Sequence, residues 1–137
     1  MTYHIDRTVA GSFDDVVERV EAELSEEGFG VLTDIDVDAT LRKKLGVEDF
    51  GEYRILGACN PSLAHEAMEA ERPLGVLLPC NVVVYEDGES VIVSAVDPEA
   101  MLSVVDNEAV DDVAAEVREH MVRVLDSLPE KVEPAAD

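Results

Sequence analysis

The chain has 137 residues, 47% of them apolar, and its 32 Asp and Glu against 10 Lys and Arg give a formal net charge of -22. This length supports a single domain with a core of its own, so folding requires neither disulfides nor a structural metal. The charge excludes nucleic acid and anionic membrane surfaces as partners, because both need clustered cations, and no run approaches the roughly 20 apolar residues of a membrane span.

In the first half of the chain, the pattern predicts strand, helix, strand and helical turn. The predicted bounds are 2–9 for the first strand, 13–27 for the helix, 31–37 for the second strand and 39–45 for the helical turn. Ser12 is a suitable N-cap for the helix. Asp15 follows three residues later, where an acid can complete a helix start that resembles a capping box. Gly28 and Gly30 end the helix, and Gly46 closes the helical turn.

Three aspartates, Asp34, Asp36 and Asp38, alternate at the end of the second predicted strand. Their spacing matches the start of an EF-hand loop, in which such residues bind calcium. No glycine follows at the sixth position of that loop, and Lys43 and Lys44 stand near the position of its required acid. We therefore expect a solvated strand face rather than a calcium site.

In the second half, the pattern predicts two buried strands, a hairpin and a long helix. The predicted elements are a strand at 53–59, a short helix opened by Asn60, Pro61 and Ser62, a strand at 74–85 interrupted by Pro79, a strand at 91–96, and a helix of about 20 residues ending near Leu128. Asp87 and Gly88 are a two-residue hairpin signal, so the strand at 91–96 returns antiparallel. Asp106 or Asn107 caps the last helix.

These elements predict an α+β fold with one domain at 1–128 and a disordered acidic tail at 129–137. In this fold helices pack on one face of an antiparallel sheet, and a long helix ends the domain. The hairpin at Asp87 and Gly88 argues against an all-parallel, doubly wound sheet.

Two short segments, Cys59-Asn60-Pro61 and Pro79-Cys80-Asn81, are the candidates for chemistry. If their strands are neighbours, both thiols and both Asn amides converge on one irregular patch, as a reactive thiol, a metal or a small anion requires. Cys59 at a helix start is expected to have a lowered pKa and to act as nucleophile or soft ligand. Cys80 would then act as the resolving thiol or as a second ligand of the bound group. The alternative is that both cysteines are small core hydrophobes.

A metal site would need a third ligand besides the two thiols. His65 is nearest in sequence, so the candidate set is Cys59, Cys80 and His65, although His65 lies six residues into the following helix without a second histidine at i+4. No cofactor is indicated by any motif, because the chain has no P-loop and no G-x-G-x-x-G segment. Whether the protein is an enzyme stays open.

The segments around both cysteines resemble the domain of unknown function 302 family over about residues 3 to 128. The matching positions are 53–61, Ala64, Ala67, 75–84, Asp97, Pro98 and Met101. The resemblance implies a compact α+β fold of the TATA-binding-protein-like class, with a curved antiparallel sheet that grips helices, usually as a homodimer. It implies no activity.

Two classes of function follow from these residues. The first is a thiol-containing pocket for redox chemistry, sulfur transfer or metal handling, with Cys59 and Cys80 reacting and with Asn60, Pro61, Pro79 and Asn81 around the bound group. The second is a non-catalytic module, either a cavity between sheet and helices that holds a small apolar molecule or a dimerisation surface, in which the cysteines are only structural. Alkylation of the native protein distinguishes the two classes.

The acidity indicates the solvent in which the protein works. At physiological salt the Debye length is about 8 Å, and repulsion among this many like charges destabilises a compact state. Near 1 M salt the Debye length is about 3 Å, and the repulsion largely disappears. Only three of the basic residues are lysines, Lys43, Lys44 and Lys131. The N-terminus also lacks the basic start and apolar run of a signal peptide. We expect a high-salt cytoplasm of the haloarchaeal type.

Removal of salt is expected to unfold the protein, because the repulsion among its 32 acids is then no longer screened. Circular dichroism should show loss of secondary structure below a few hundred millimolar KCl. A spectrum that stays unchanged when the salt is removed would refute the high-salt setting.

Overall fold

The computed structural model describes residues 2–132, which form five strands, five α-helices and a 3₁₀ helix. The strands are β1 (His4–Val9), β2 (Gly30–Asp36), β3 (Tyr53–Cys59), β4 (Cys80–Asp87) and β5 (Ser90–Val96). The helices are α1 (Phe13–Glu26), α2 (Val37–Leu45), α3 (Pro61–Ala70), the 3₁₀ helix (Arg72–Leu77), α4 (Pro98–Leu102) and α5 (Glu108–Ser127). Within this range, no helix combines the length and the apolarity that crossing a membrane requires.

The five strands form one antiparallel sheet in the order β1-β5-β4-β3-β2. Fully buried residues alternate along its strands on one face, and α1 and α5 contact the sheet. The largest of the fully buried strand residues are Val9, Leu56, Val82, Val84 and Val93. The predicted α+β fold, with an antiparallel sheet and a long C-terminal helix, is confirmed.

The alternate strand positions project from the other face, which we call the open face. In the pairing register these positions are His4, Asp6, Thr8, Thr33, Ile35, Tyr53, Ile55, Gly57, Asn81, Val83, Tyr85, Asp87, Ser90, Ile92, Ser94 and Val96. Among them only Gly57 is buried, whereas the neighbouring positions of β4 and β5 are buried at every second residue. The sheet is therefore closely packed on one side and largely uncovered on the other.

Helix starts follow the sequence closely, because each is fixed by a local hydrogen bond. The Ser12 hydroxyl accepts from the Asp15 amide at 3.3 Å, as predicted for α1. Asn107 caps α5 by accepting from the Ala109 amide at 3.0 Å, so Asn107 rather than Asp106 is the cap.

The strand predicted at 74–85 is wrong in its first half. Residues 72–77 form the 3₁₀ helix, with Pro73 in its first turn, and β4 begins only after Pro79. Proline has no amide to donate to a sheet, and an apolar run alone does not distinguish a strand from a buried helical segment. The hairpin turn is also displaced by one residue: Asp87 pairs with Ser90, and Gly88, with φ of 62°, is the first central residue.

Residues 129–131, the start of the predicted tail, hydrogen-bond to the end of β1 and the residue after it. The Pro129 carbonyl accepts from the Ala10 amide at 2.8 Å, and the Lys131 amide donates to the Thr8 carbonyl at 2.9 Å, so the chain continues along β1. Residues 133–137 of the predicted tail lie outside the described residues.

The three alternating aspartates do not share a solvated strand face, because α2 begins two residues earlier than predicted. Asp36 is its N-cap and accepts from the Ala39 amide at 3.0 Å. Asp38 is buried in the first turn and is paired with Arg42 at 3.2 Å. Asp34 lies within β2 and accepts hydrogen bonds from Nε and Nη2 of Arg54. Each aspartate therefore has a separate structural role.

Replacement of Asp34 with Asn is expected to destabilise the fold in a pH-dependent way. The hydrogen bond from Arg54 is the main reason that the pKa of Asp34 lies below its ordinary value of 3.8. A carboxyl with a lowered folded-state pKa stabilises the fold above its unfolded pKa and loses that contribution as the pH falls through the folded value. For this partly exposed pair we expect Asp34→Asn to cost about 0.5 to 1 kcal/mol at neutral pH.

The measurement is urea unfolding of wild type and Asp34→Asn at constant high salt from about pH 7 to about pH 3, and the difference should shrink as the pH falls below 3.8. Asp49→Asn is the control, since Asp49 is exposed and has no hydrogen bond or ion pair within 2–132. A difference that is the same at every pH would contradict the assignment.

Candidate functional site

The two cysteine segments do lie side by side, because β3 and β4 are adjacent antiparallel strands. Ala58 pairs with Cys80, and Gly57 pairs with Asn81. The end of one strand and the start of the other therefore meet at the same place. The two segments are neighbours as expected, but they do not form one patch: Cys59, Asn60 and Cys80 line one cavity, whereas Asn81 lines another on the open face.

Burial dominates the chemistry of both thiols. Cys80 is 6% exposed and belongs to the hydrophobic core, and Cys59 is half-buried. Burial raises the pKa of Cys59, and burial together with the nearby Cys59 raises the pKa of Cys80 to about 11. The lowered pKa expected for Cys59 is therefore wrong. Both cysteines are free and carry their protons at neutral pH.

The start of α3 explains why Cys59 gains nothing from the helix. Asn60 is the N-cap, and its side-chain oxygen accepts from the Leu63 amide at 3.3 Å. Pro61 occupies the first helical turn and has no amide to offer. Cys59 stands outside the cap as the last residue of β3. The side-chain oxygen of Asn60, rather than a thiolate, therefore occupies the positive end of α3.

A small cavity lies beside the cysteines, between the sheet and helices α3 and α5. Its volume is about 30 Å³, the share of one water molecule in the liquid. Cys59, Asn60, Pro79 and Cys80 line it together with apolar side chains such as Phe29 and Val117. The cavity is too small to admit an organic ligand.

The structure does not assemble the three-residue metal site. The His65 side chain is 77% exposed on α3 and pairs with Glu69 at 3.3 Å. Within the described range no group of three or more His, Cys, Asp and Glu could hold a metal ion. The reason is geometric, since His65 points to solvent while Cys80 is in the core.

A much larger groove opens on the other side of Pro79, on the open face, with a volume of about 540 Å³. Its floor is made of alternate residues of β3, β4 and β5, and its wall is made of residues 76–79 and Met101. The lining residues are Tyr3, His4, Tyr53, Val76, Leu77, Leu78, Pro79, Asn81, Val83, Tyr85, Ser94, Ala95, Val96 and Met101. This volume lies within the range of about 300–1,000 Å³ that is typical of small-molecule sites.

The wall of the groove rests on Gly57. A Cβ atom at this position would lie 2.8 Å from Cγ of Pro79, which follows a cis peptide bond, and would also clash with the Thr33 hydroxyl. Real Cβ atoms essentially never approach another heavy atom this closely. Because Gly57 has no side chain, Pro79 can pack against the open face of β3.

All three tyrosines of the chain line this groove. Tyr53 and Tyr85 are direct cross-strand partners, and their rings are stacked at 5.4 Å between centroids with 18° between planes. Phe50 packs on Tyr53 at 5.7 Å, and Tyr3 stands at the rim with 69% exposure. None of these residues was predicted from the sequence as a site residue. The available signal was the unbroken apolar run 82–85, which indicates strand residues with apolar surroundings on both faces.

One carboxylate adjoins the groove. Asp6 accepts a hydrogen bond from Nδ1 of His4 at 2.7 Å and lies opposite Ser94 in the register. Burial raises the pKa of Asp6, but hydrogen bonds from Ser94 and His4 outweigh burial and hold that pKa below its ordinary value. Neither lysine nor arginine is among the lining residues. The groove is thus aromatic and apolar, with a negative charge at its β1 side.

Comparisons with known proteins agree with the fold and give no activity. A family model described as "Domain of unknown function DUF302" matches residues 5–128. The crystal structure of an uncharacterized conserved protein DUF302 from Bacillus stearothermophilus is similar, with a TM-score of 0.86 and 28% sequence identity. That similarity covers 92% of this chain and 98% of the other. No curated protein matches the chain.

Both thiols are expected to resist alkylation of the native protein. The fraction of Cys80 present as thiolate is reduced by its pKa of about 11, so its reaction with iodoacetamide near neutral pH should be roughly a hundredfold or more slower than that of free cysteine. Labelling of Cys59 should be slow and should accelerate as the pH rises above 9.

Mass spectrometry of native and denatured protein measures the labelling, and the variants Cys59→Ser and Cys80→Ser assign it to one thiol at a time. Rapid modification of Cys59 near neutral pH would show that its environment has been misjudged.

Proposed function

The chain belongs to the DUF302 family, a family of unknown function, and on that premise we propose from its own geometry that the domain is a non-catalytic module that binds a small, largely apolar molecule. The binding site is the groove on the open face. The observation that carries the proposal is a groove of about 540 Å³ lined by three tyrosines on an otherwise strongly charged molecule.

The size of the two cavities decides between them. A cavity between sheet and helices was the expected place for an apolar ligand, but the cavity there has a volume of only about 30 Å³. The groove is on the opposite face of the sheet and has the volume of a small-molecule site. Its apolar floor and few polar groups, such as Asn81 and Ser94, are also typical of such sites.

Redox chemistry, sulfur transfer and metal handling have weaker support. Each requires a thiolate, and burial raises the pKa of both thiols. Both thiols border the same cavity of about 30 Å³, which leaves no room for a substrate beside them. In the proposed function the cysteines therefore serve as small apolar packing residues.

A specific observation favours dimerisation as a second candidate. Large apolar side chains stand exposed at the rim of the groove, with Val76 at 86% and Tyr3 at 69%. Apolar patches of this kind mark sites of association. A homodimer would bring a second copy over the open face, and it would be compatible with a ligand held between the copies.

The proposed setting is a high-salt cytoplasm, supported by the net charge of -22. The curvature of the sheet and its TATA-binding-protein-like class, both implied by the family resemblance, stay predictions.

Small apolar and aromatic molecules are expected to change the intrinsic fluorescence of the protein. The chain has three tyrosines and no tryptophan, and every tyrosine lines the groove, so its emission directly reports on this site. A screen of small molecules by tyrosine emission, repeated by thermal shift, should find saturable binders.

The matched variants are Val83→Phe, which places a larger side chain on the groove floor, and Ile92→Phe, on the same face but outside the groove. Val83→Phe should weaken binding about tenfold or more, whereas Ile92→Phe should leave it within about twofold. Light scattering on the same samples gives the oligomeric state. Failure of every compound to bind, or equal effects of the two variants, would refute a ligand site in the groove.

A further inference from the structure

We infer that the ligand of the groove is a small organic cation, such as an amine with a quaternary or tertiary ammonium group. This inference rests on the proposed function. It follows from the kinds of charge that the groove can and cannot accommodate. His4 is the only lining residue other than the tyrosines that titrates, and the lining includes neither lysine nor arginine.

An anionic ligand has neither lysine nor arginine as a partner in this groove. Carboxylate and phosphate ligands are typically bound by Arg, Lys or a helix N-terminus, and the lining residues come from strands, from Tyr3 just before β1, from the segment 76–79 and from Met101. The net charge of -22 additionally repels anions from the whole molecule. A cation is attracted by the same charge, so its local concentration is raised.

The tyrosine rings provide the recognition of a cation. The face of an aromatic ring carries partial negative charge, and ammonium groups bind to it, most strongly where water is displaced. Tyr53 and Tyr85 form a stacked pair in the groove, and Tyr3 adds a third ring at the rim. Aromatic side chains make up only 4% of the chain, so three of them in one groove are a concentrated feature.

A carboxylate completes the site at the β1 side. The Asp6 carboxylate accepts a hydrogen bond from His4, and Asp6 lies opposite Ser94 in the pairing register. His4 and Ser94 both line the groove. The other acid of the open face, Asp87, lies at the hairpin end of β4 and does not line the groove. A cation in contact with the groove is therefore attracted by one fixed charge and by the ring faces together.

A bare metal ion does not satisfy the same geometry. Within residues 2–132 no group of three or more His, Cys, Asp and Glu could bind one, and a single carboxylate does not supply enough ligands. The positive charge must therefore be carried by an organic group large enough to fill an apolar groove.

The test compares choline with 3,3-dimethylbutan-1-ol, in which a carbon atom replaces the ammonium nitrogen. Both are titrated against the full chain at constant high KCl, with tyrosine emission as the signal. We expect choline to bind at least about tenfold more tightly than the neutral isostere. Asp6→Asn and Tyr85→Leu should each weaken choline binding about three- to tenfold and leave binding of the alcohol nearly unchanged.

Asp111→Asn is the matched control, because Asp111 is an exposed acid at the start of α5, outside the groove. Circular dichroism of each variant verifies its fold. If choline and the alcohol bind equally, the cation inference is overturned and the ligand site stands. If Asp111→Asn weakens choline binding as much as Asp6→Asn does, choline is attracted by the net charge of the protein and not by Asp6. That result also overturns the inference.

If neither probe binds while the screen finds a neutral binder sensitive to Val83→Phe, the cation inference alone is refuted. If neither probe binds and the screen finds nothing, the cation inference and the proposed function are both refuted.

Discussion

The packing of Pro79 against Gly57 is the contact on which both cavities depend. A Cβ atom at Gly57 would lie 2.8 Å from Cγ of Pro79, so only glycine lets the segment before β4 rest on the open face of β3. Pro79 lines the small cavity at the cysteines and also the large groove. One contact therefore closes the first space and forms a wall of the second.

The two faces of the sheet differ in cover and in charge. One face is buried under helices that include α1 and α5, which fixes the core. The open face has two acids among its strand positions, Asp6 and, at the hairpin end of β4, Asp87, although 32 acids occur in the chain. If solvation alone selected these positions, acids would be as frequent here as on the helices. The low charge of an exposed face indicates that something other than water contacts it.

The fold was predictable wherever a local interaction fixes an element. Helical spacing of apolar residues and the caps Ser12 and Asn107 locate α1 and α5. Where one sequence pattern is compatible with two kinds of secondary structure, the sequence does not decide between them. The segment before Pro79 is apolar enough for a strand, yet its prolines favour a 3₁₀ helix and delay β4. Asp36 both ends β2 and caps α2, and the alternation of aspartates does not reveal the cap, which the hydrogen bond from the Ala39 amide fixes.

The candidate site was predictable in position and not in chemistry. Neighbouring strands bring Cys59 and Cys80 together, as the twin segments suggest, but the pKa of a thiol depends on burial, which sequence spacing does not contain. Asn60 takes the helix N-terminus that would have activated Cys59. The same segments nevertheless shape the groove, because Pro79 and Asn81 line it on the opposite side of the sheet. These segments therefore position the strands and the wall of the groove. The two thiols fill space on the other side of Pro79, at the small cavity.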